Sequence, residues 1–386
     1  MHVFVGPNPN FLYQEVTEYI LRNGDEVSPR GKATKEIQPA INEWQNPCQM
    51  VITVPGRMTN PFFTLFESLW IVGGRGDAES VCFYNSNLKQ FLDEGYQEFH
   101  APYGRRIRHW GKHKNKDEEF TKNYFDQLVD VYNLLNKDVD TRQAVITLWL
   151  PPYDNCEITT NDRPCNDMVF FKIRNNYLNM SVLNRSNDLH LGLYSANIMQ
   201  FSMLQRILAS CLHVEVGMYR HFSDSLHIYL ENDTISERIL TADYSYNVYN
   251  YFDNYDLRNE YLNLNKFDEC LVKFFSNEEL IRLDNSPIIY TGNDIGKFLH
   301  AVLHILKAYK LHKLALYEES IEHIFTAFNL GLKDHCVSCL EFVYRKYQKI
   351  GDEFAGKMFL TIEKYFRDFN VCDIVLEKTL EYIRRH

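Results

Sequence analysis

A cysteine set between a proline and an apolar run is the first residue here that could do chemistry. Cys165 lies in "DRPCNDMVFF", residues 162 to 171, with Arg163 before it and Arg185 further along the chain. A cysteine becomes a nucleophile when nearby cationic groups favour its thiolate. Most single cysteines are buried packing residues, so Cys165 needs neighbours of the right chemistry before it predicts catalysis.

Such neighbours follow in "LNRSNDLHLGLYSAN", residues 183 to 197. Its "RSND" places the Arg185 guanidinium, the Ser186 hydroxyl and the Asp188 carboxylate at the end of a predicted strand. Arginine and serine suit a phosphate group. Asn197 closes the stretch, and an amide that both donates and accepts suits the polar edge of a pyrimidine.

A third stretch, "DSLHIY", places His227 and Tyr229 at alternate positions of a predicted strand. Alternate residues of a strand point to the same face, so both side chains would meet one ligand. Taken singly, each of these residues is more often structural than functional. Taken together, the three stretches predict a site for an anionic, planar, hydroxylated ligand beside a thiol.

The composition excludes several classes of function. A net charge of −10 argues against direct nucleic-acid binding, because neutralising a phosphate backbone takes clustered Lys and Arg. No stretch approaches the ~18 consecutive apolar residues of a membrane span, and "MHVFVGPNPN" is unlike a signal peptide. The nine cysteines are scattered and odd in number, so we expect free thiols and a cytoplasmic location.

The only closely spaced cysteines are Cys336 and Cys339 in "KDHCVSCLEFVYRKY". Structural zinc needs four ligands, and no second pair accompanies them. We therefore expect two core-facing residues on a helix and no metal site.

The chain of 386 residues suggests two domains, or one domain with an extension. Helix spacing is clear in "LYQEVTEYILRNG" and "FFTLFESLWIVGG", and "ANIMQFSMLQRILASCLHVEVG" reads as a long buried helix. Strands are indicated in "RQAVITLWL", in "DSLHIYLEN" and on both sides of the turn-like "RNN". From about Asn293, five amphipathic helix patterns follow one another. We predict an α+β body over residues 1–255 and a mostly helical extension over residues 256–386.

The ordered set of motifs resembles the thymidylate synthase family, which includes the pyrimidine nucleotide hydroxymethylases encoded by some phages. The resemblance spans about residues 10 to 235, and its motifs are "LFESLWIVGGRGD", "APYGRRIRHW", the Pro-Cys pair, "NRSNDLHLGL", "NIMQFSMLQRILASCLHVEVG" and "HIY". It implies a catalytic domain built on a large mixed β-sheet with a buried helix, followed by an all-α extension. If the protein is phage-encoded, its setting is the host cytoplasm.

The resemblance also implies a mechanism. Cys165 would attack C6 of a pyrimidine deoxynucleoside monophosphate, so that C5 takes a one-carbon unit from 5,10-methylenetetrahydrofolate and an exocyclic methylene intermediate follows. Glu67 would organise water and proton transfers. The implied catalytic residues are Cys165, Glu67, Tyr103 and Asp188, and Lys89, which departs from the family pattern, is a further catalytic candidate. The implied substrate-binding residues are Arg30, Arg185, Ser186 and, from the partner of a homodimer, Arg142 for the phosphate, His227 and Tyr229 for the sugar, and Asn197 for the base.

Departures from the family pattern favour hydroxymethylation over methylation. The synthases carry a tryptophan against the intermediate, and at that spacing from Glu67 this chain has Lys89 in "YNSNLKQF". The chain ends in "EYIRRH", unlike the short apolar tail that closes synthases over the folate. Both differences would admit water, and water attack on the methylene gives a 5-hydroxymethyl product. Lys89 can also be read as an exposed helix residue in a shifted alignment.

The choice of base depends on one position. The synthases read uracil with an asparagine, whereas deoxycytidylate hydroxymethylases have an aspartate there. Counted without a gap from Gly192, the position is Ala196; aligned backward from "NIMQFSML" it is Asn197, with one residue inserted in "LYSAN". We favour Asn197 and therefore dUMP over dCMP.

Two further residues depart from the family pattern, and three other functions are possible for the chain. Gln143 replaces a second phosphate arginine, and Asn166 follows the cysteine where histidine is common. The chain could be a thymidylate synthase with an unusual tail, a deoxycytidylate hydroxymethylase, or a catalytically retired relative that acts as an interaction module. The last is disfavoured because the family's residues at six positions are all retained: Cys165, Glu67, Tyr103, Arg185, Asp188 and His227.

Overall fold

The computed structural model describes residues 1–57, 59–110, 125–155, 160–231, 233–244 and 246–384. These residues form two compact units, one of residues 1–50, 63–233 and 261–264 and the other of residues 51–62, 234–260 and 265–386. The division at 255/256 remains a prediction. No helix in the described ranges has the length and apolar character needed to cross a membrane.

The first unit is the α+β body that the sequence predicts. Its strands are β1 (His2–Gly6), β2 (Asp25–Val27), β3 (Thr34–Ile37), β4 (Ala40–Trp44), β5 (Val145–Thr147), β6 (Asn166–Arg174), β7 (Tyr177–Asn184), β8 (Asn187–Asp188), β9 (Glu215–Ser223) and β10 (Leu226–Tyr229). Its helices are α1 (Pro9–Asn23), α2 (Pro61–Val72), which begins in the second unit, α3 (Ala78–Tyr84), α4 (Tyr103–Arg108), α5 (Gln127–Lys137), α6 (Pro151–Asp154) and α7 (Ile198–Leu212).

A mixed six-stranded sheet has the order β1-β4-β9-β7-β6-β5. The predicted hairpin is present as β6 and β7, which pair antiparallel. Its turn residues, Asn175 and Asn176, have φ of 52° and 65°. Asparagine tolerates this left-handed conformation, which a two-residue hairpin turn requires.

The long apolar helix is α7, and it lies buried against β7 and β9. It ends at Leu212, because His213 adopts a left-handed backbone with φ 57°. The prediction that the helix runs on to Gly217 is therefore wrong, and residues from Glu215 onward form β9.

A second sheet has the order β2-β3-β10-β8. Strand β10 pairs with β3 on one side and with β8 on the other, where His227 lies opposite Asp188. This sheet brings three distant stretches together: the loop between β2 and β3, the "RSND" stretch and the "HIY" stretch.

The second unit is helical. Its helices are α8 (Thr234–Thr241), α9 (Leu264–Asp284), of which Leu264 belongs to the first unit, α10 (Gly292–Ile295), α11 (Lys297–Lys313), α12 (Tyr317–Asn329), α13 (Lys333–Gln348), α14 (Asp352–Asp368) and α15 (Asp373–Arg384). The five helices expected after Asn293 are α11 to α15, whereas α9 was not predicted. Cys336 and Cys339 are fully buried on α13, as expected of packing residues.

Candidate active site

Tyr103 holds the turn that carries the thiol. Cys165 directly precedes β6, and its backbone N–H donates to the Tyr103 hydroxyl at 3.0 Å. The N–H of Asn166 donates to the same hydroxyl at 3.2 Å. Burial raises the pKa of Tyr103, so the group remains a neutral phenol. One tyrosine at the start of α4 thus fixes the backbone on both sides of the Cys165 carbonyl.

The guanidinium of Arg185 lies beside the Cys165 thiol. Its Nη2 is 3.9 Å from Sγ, and its Nε donates to the carbonyl of Pro164 at 2.9 Å. Burial raises the pKa of the thiol, while the charges of Arg185 and Arg30 oppose that rise. The resting thiol is therefore protonated at neutral pH, with two cations placed to favour the thiolate.

Arg185 retains donors for a ligand. The Trp149 ring lies under its guanidinium at 5.6 Å, and the Trp149 indole N–H donates to Asn155 at 3.0 Å. Stacking of this kind holds an arginine in place without using its N–H groups. Neither Nη1 of Arg185 nor the hydroxyl of Ser186 bonds to any part of the chain that the structure describes.

Arg30 lies in an exposed 3₁₀ turn, Pro29–Gly31, between β2 and β3. Its backbone has a φ of 57°. Its charge acts to lower the pKa of both Cys165 and His227, so it belongs to the same electrostatic site. A neighbouring cation, Lys32, lies 5.7 Å from the Tyr229 ring and was not anticipated from the sequence.

His227 and Tyr229 point to one face of β10, as the alternation predicts. Their rings are 5.1 Å apart and nearly perpendicular. Burial lowers the pKa of His227, and the nearby carboxylates of Asp188 and Glu36 oppose that effect. The imidazole is thus a neutral donor and acceptor, suited to a sugar hydroxyl.

Asp188 closes the turn after β8. Its Oδ1 accepts the backbone N–H groups of His190 and Leu191, at 2.7 and 2.9 Å. Its Oδ2 makes no hydrogen bond within the described ranges. One carboxylate oxygen is therefore structural, and the other is available to a ligand.

Glu67 on α2 has a strongly perturbed carboxyl group. The residue as a whole is only partly buried, but Oε2 is enclosed and without a hydrogen-bond partner among the described residues. Burial raises its pKa to about 7, and a hydrogen bond with the Gln200 side chain partly opposes the rise. A carboxyl with this pKa both gives and takes a proton near neutral pH.

Helix α7 links Glu67 to the rest of the site. Gln200 lies one turn after Asn197, and the next residue, Phe201, places its ring 6.4 Å from that of Tyr103. Gln200 was missed at the sequence level. A polar residue inside an almost wholly apolar helix was the signal that could have revealed it.

Asn197 ends a π-helical segment, Leu189–Asn197. A π-helical turn accommodates one extra residue in a helix. The insertion expected in "LYSAN" remains a prediction. Asn197 is nearly buried, and its Nδ2 donates to Oδ1 of Asn187 at 3.0 Å. The side chain therefore has a fixed partner on one side.

Lys89 and Arg142 are exposed and lie apart from these contacts. Lys89 is in the 3₁₀ segment Ser86–Phe91, where its charge acts to lower the pKa of Cys82. Arg142 precedes the edge strand β5. No contact described in the structure joins either to Cys165, and their roles remain predictions.

Comparison with known proteins identifies the family of this chain. A family model described as "Thymidylate synthase" matches residues 12–265. A "Deoxyuridylate hydroxymethyltransferase" of Bacillus phage SP01 is 36% identical over 100% of both chains. A protein of the same name from Pseudomonas phage M6 is 34% identical, covering 58% of this chain and 59% of that one. A "Putative thymidylate synthase" of Methanocaldococcus jannaschii is 28% identical over 59% of this chain and 90% of its own. The chain belongs to the thymidylate synthase family of one-carbon transferases.

Proposed function

We propose that this enzyme transfers a hydroxymethyl group to C5 of dUMP and releases 5-hydroxymethyl-dUMP. The observation that carries a covalent mechanism is the Cys165 thiol held 3.9 Å from the Arg185 guanidinium. The relative from Bacillus phage SP01, similar over its full length, supports deoxyuridylate as the substrate. Its phage origin supports a setting in the host cytoplasm, where the product would enter a modified DNA.

Different residues bind the phosphate, the sugar and the base of the nucleotide. Arg30, Arg185 and Ser186 take the phosphate, with donors that the fold leaves free. His227 and Tyr229 meet the sugar, and Asn197 meets the base. With the ring so placed, the Cys165 sulfur adds to C6 and leaves C5 nucleophilic.

Glu67 handles the proton transfers. With a pKa of about 7, it is present in both protonation states at neutral pH. It takes a proton from a water molecule and returns one to the nucleotide. Its unpartnered Oε2 supports this role, because a buried carboxylate oxygen without a donor calls for water or substrate.

The site also fits a folate. When bound, 5,10-methylenetetrahydrofolate supplies the one-carbon unit at the oxidation level of formaldehyde. The free Oδ2 of Asp188 would accept N–H groups of its pterin ring. Lys89 stands in the sequence where the synthases carry a tryptophan, and this supports completion by water, because a charged side chain does not shield an intermediate as an indole does.

A homodimer completes the proposal. On the face of the large sheet opposite α7, an apolar row runs across paired strands through Val3, Ile41, Phe222, Leu183 and Met168. All five side chains are partly or largely exposed. A second copy of this chain would cover the row and bring Arg142 from beside the edge strand to the partner's phosphate site.

Mass spectrometry of dUMP and dCMP after incubation with 5,10-methylenetetrahydrofolate tests this function. We expect dUMP to gain a hydroxymethyl group without dihydrofolate absorbance, and Cys165→Ser to form no product. A methylated nucleotide with equimolar dihydrofolate would overturn the reading in favour of a synthase. Reaction of dCMP alone would instead assign a deoxycytidylate hydroxymethylase.

A further inference from the structure

We infer that a buried chain of hydrogen bonds through His221 and Asn187 fixes the direction of the Asn197 amide and thereby makes the site select uracil over cytosine. The inference rests on the proposed function, because it deepens the role of Asn197 in reading the base. An amide presents an oxygen on one side and an NH₂ group on the other, so its direction decides which base it fits.

The chain starts at a backbone group whose role is unambiguous. The N–H of Ser186 can only donate, and it donates to Oδ1 of Asn184 at 3.0 Å. The Nδ2 group of Asn184 must then face the other way. It donates to Oδ1 of Asn166 at 3.0 Å and to Nε2 of His221 at 3.4 Å.

The donor from Asn184 decides the tautomer of His221. Because Nε2 receives a hydrogen, it must be an unprotonated acceptor, and the ring proton lies on Nδ1. That proton is donated to the Tyr219 hydroxyl at 2.7 Å. The imidazole is fully buried, and burial lowers its pKa to about 3, so it stays neutral.

The tautomer of His221 decides the direction of the next amide. Asn187 must present Nδ2 to the accepting Nε2, at 3.1 Å, and the same group reaches the Ser223 hydroxyl at 3.1 Å. Its Oδ1 therefore faces Asn197, whose Nδ2 donates to it at 3.0 Å. Gly192 closes this corner, because a Cβ there would lie only 2.7 Å from the Asn187 oxygen.

The direction of the Asn197 amide is thus set by the backbone N–H of Ser186, four hydrogen bonds away. Its Oδ1 makes no hydrogen bond in the described parts of the chain and is left to accept from a ligand. Uracil carries an N–H at N3, whereas cytosine carries an unprotonated nitrogen there. A fixed acceptor binds the first and repels the second, while a free amide could turn and fit both.

The test is the ratio of kcat/KM for dUMP to kcat/KM for dCMP, measured from consumption of each nucleotide. Asn187→Ala frees the Asn197 amide, and we expect the ratio to fall by at least about tenfold, the effect of a lost buried hydrogen bond. Asn187→Asp keeps an oxygen facing Asn197, so the ratio should stay within about threefold of the parent even if both rates fall. Ser202→Ala, on the buried face of α7 with its hydroxyl bonded to Met199, is the matched control and should change neither rate.

His221→Phe breaks the chain one step earlier and should also lower the ratio, which covers the case that Asn187→Ala does not fold. A folded Asn187→Ala or His221→Phe protein with an unchanged ratio would overturn the inference, since loss of structure alone lowers both rates together. An unmodified enzyme that prefers dCMP would overturn it too. A thymidylate product would remove only the proposed hydroxymethylation, because the ratio does not depend on what is added to C5.

Discussion

At the scale of the residue, the chemistry depends on pKa values set by burial. Cys165, Glu67 and His227 all have their pKa shifted toward the neutral form, and burial is the largest cause for each. The charges of Arg185 and Arg30 oppose the rise in the pKa of the thiol. Because the resting Cys165 thiol is uncharged, the pyrimidine ring can bind with C6 against the sulfur without first displacing a counter-ion. The two neighbouring arginines then favour the thiolate.

Glu67→Gln tests the buried carboxyl through stability. Since the native pKa is about 7 and the ordinary value is 4.5, the native state holds its proton more tightly than the unfolded chain. The Glu67 carboxyl therefore makes its full contribution to the free energy of unfolding below pH 4.5. This contribution falls as the pH rises to about 7, by up to about 3 kcal/mol. Gln stays neutral, so we expect the variant to be more stable than the parent at pH 8 and similar to it at pH 4.5.

Urea unfolding at the two pH values measures this difference, and product formation should fall by about 10²–10⁴-fold in the same variant. Glu79→Gln, on a solvent-facing position of α3, is a control that should leave the pH dependence of stability intact. Equal destabilisation of Glu67→Gln at both pH values would contradict a buried, proton-binding carboxyl.

At the scale of the element, some strands could be predicted from the sequence and others could not. The β6–β7 hairpin was visible because apolar runs flank an asparagine turn. Strand β4 was missed, since its inward residues include Asn42, which accepts from the Tyr194 hydroxyl at 3.0 Å, and its outward residues include Ile41. Strand β9 was hidden for the same reason, with His221 inside and Phe222 outside.

Among the residues of the candidate site, too, some could be predicted from the sequence and others could not. Cys165, Arg185 and His227 could be predicted because a motif surrounds each of them. Asn187 and Trp149 could not, because their roles arise from contacts between elements distant in sequence. A buried polar residue is recognisable as functional only once its partners are known.

The hairpin turn gives a prediction at this scale. Asn176 has a φ of 65°, where a β-branched residue is strained, so Asn176→Val should lower the free energy of unfolding by about 1–2 kcal/mol. Urea unfolding measures it, and Asn176→Gly should be close to neutral. If Val were tolerated as well as Gly, the left-handed turn would be wrong.

At the scale of the whole molecule, the face of the six-stranded sheet opposite α7 explains why strands β4 and β9 do not alternate strictly between apolar and polar residues. A sheet with one solvated face alternates apolar and polar residues, whereas a sheet covered on both faces does not. Ile41 and Phe222 lie opposite each other on the face away from α7 and are only partly buried. This pattern is what the proposed homodimer would require, because a second copy would cover the second face of the sheet.

Mixing two inactive variants tests whether the copies share active sites. Arg142→Ala would remove the group lent to the partner, and Cys165→Ser would remove the nucleophile of its own site. In a mixed dimer, one site combines the intact Cys165 of one chain with the intact Arg142 of the other. Because random exchange makes half of the dimers mixed and one of their two sites complete, about one quarter of the parent activity should return.

The control is a mixture of Cys165→Ser with Glu67→Gln, two residues expected to serve the same site of the same chain. Each site of that mixed dimer lacks one catalytic group, so no activity should return. Product formation after dilute refolding of equimolar mixtures measures both cases. Recovery in neither mixture would place Arg142 outside the partner's site. Recovery in the first mixture alone would mean that the active site is completed by the second copy of the chain.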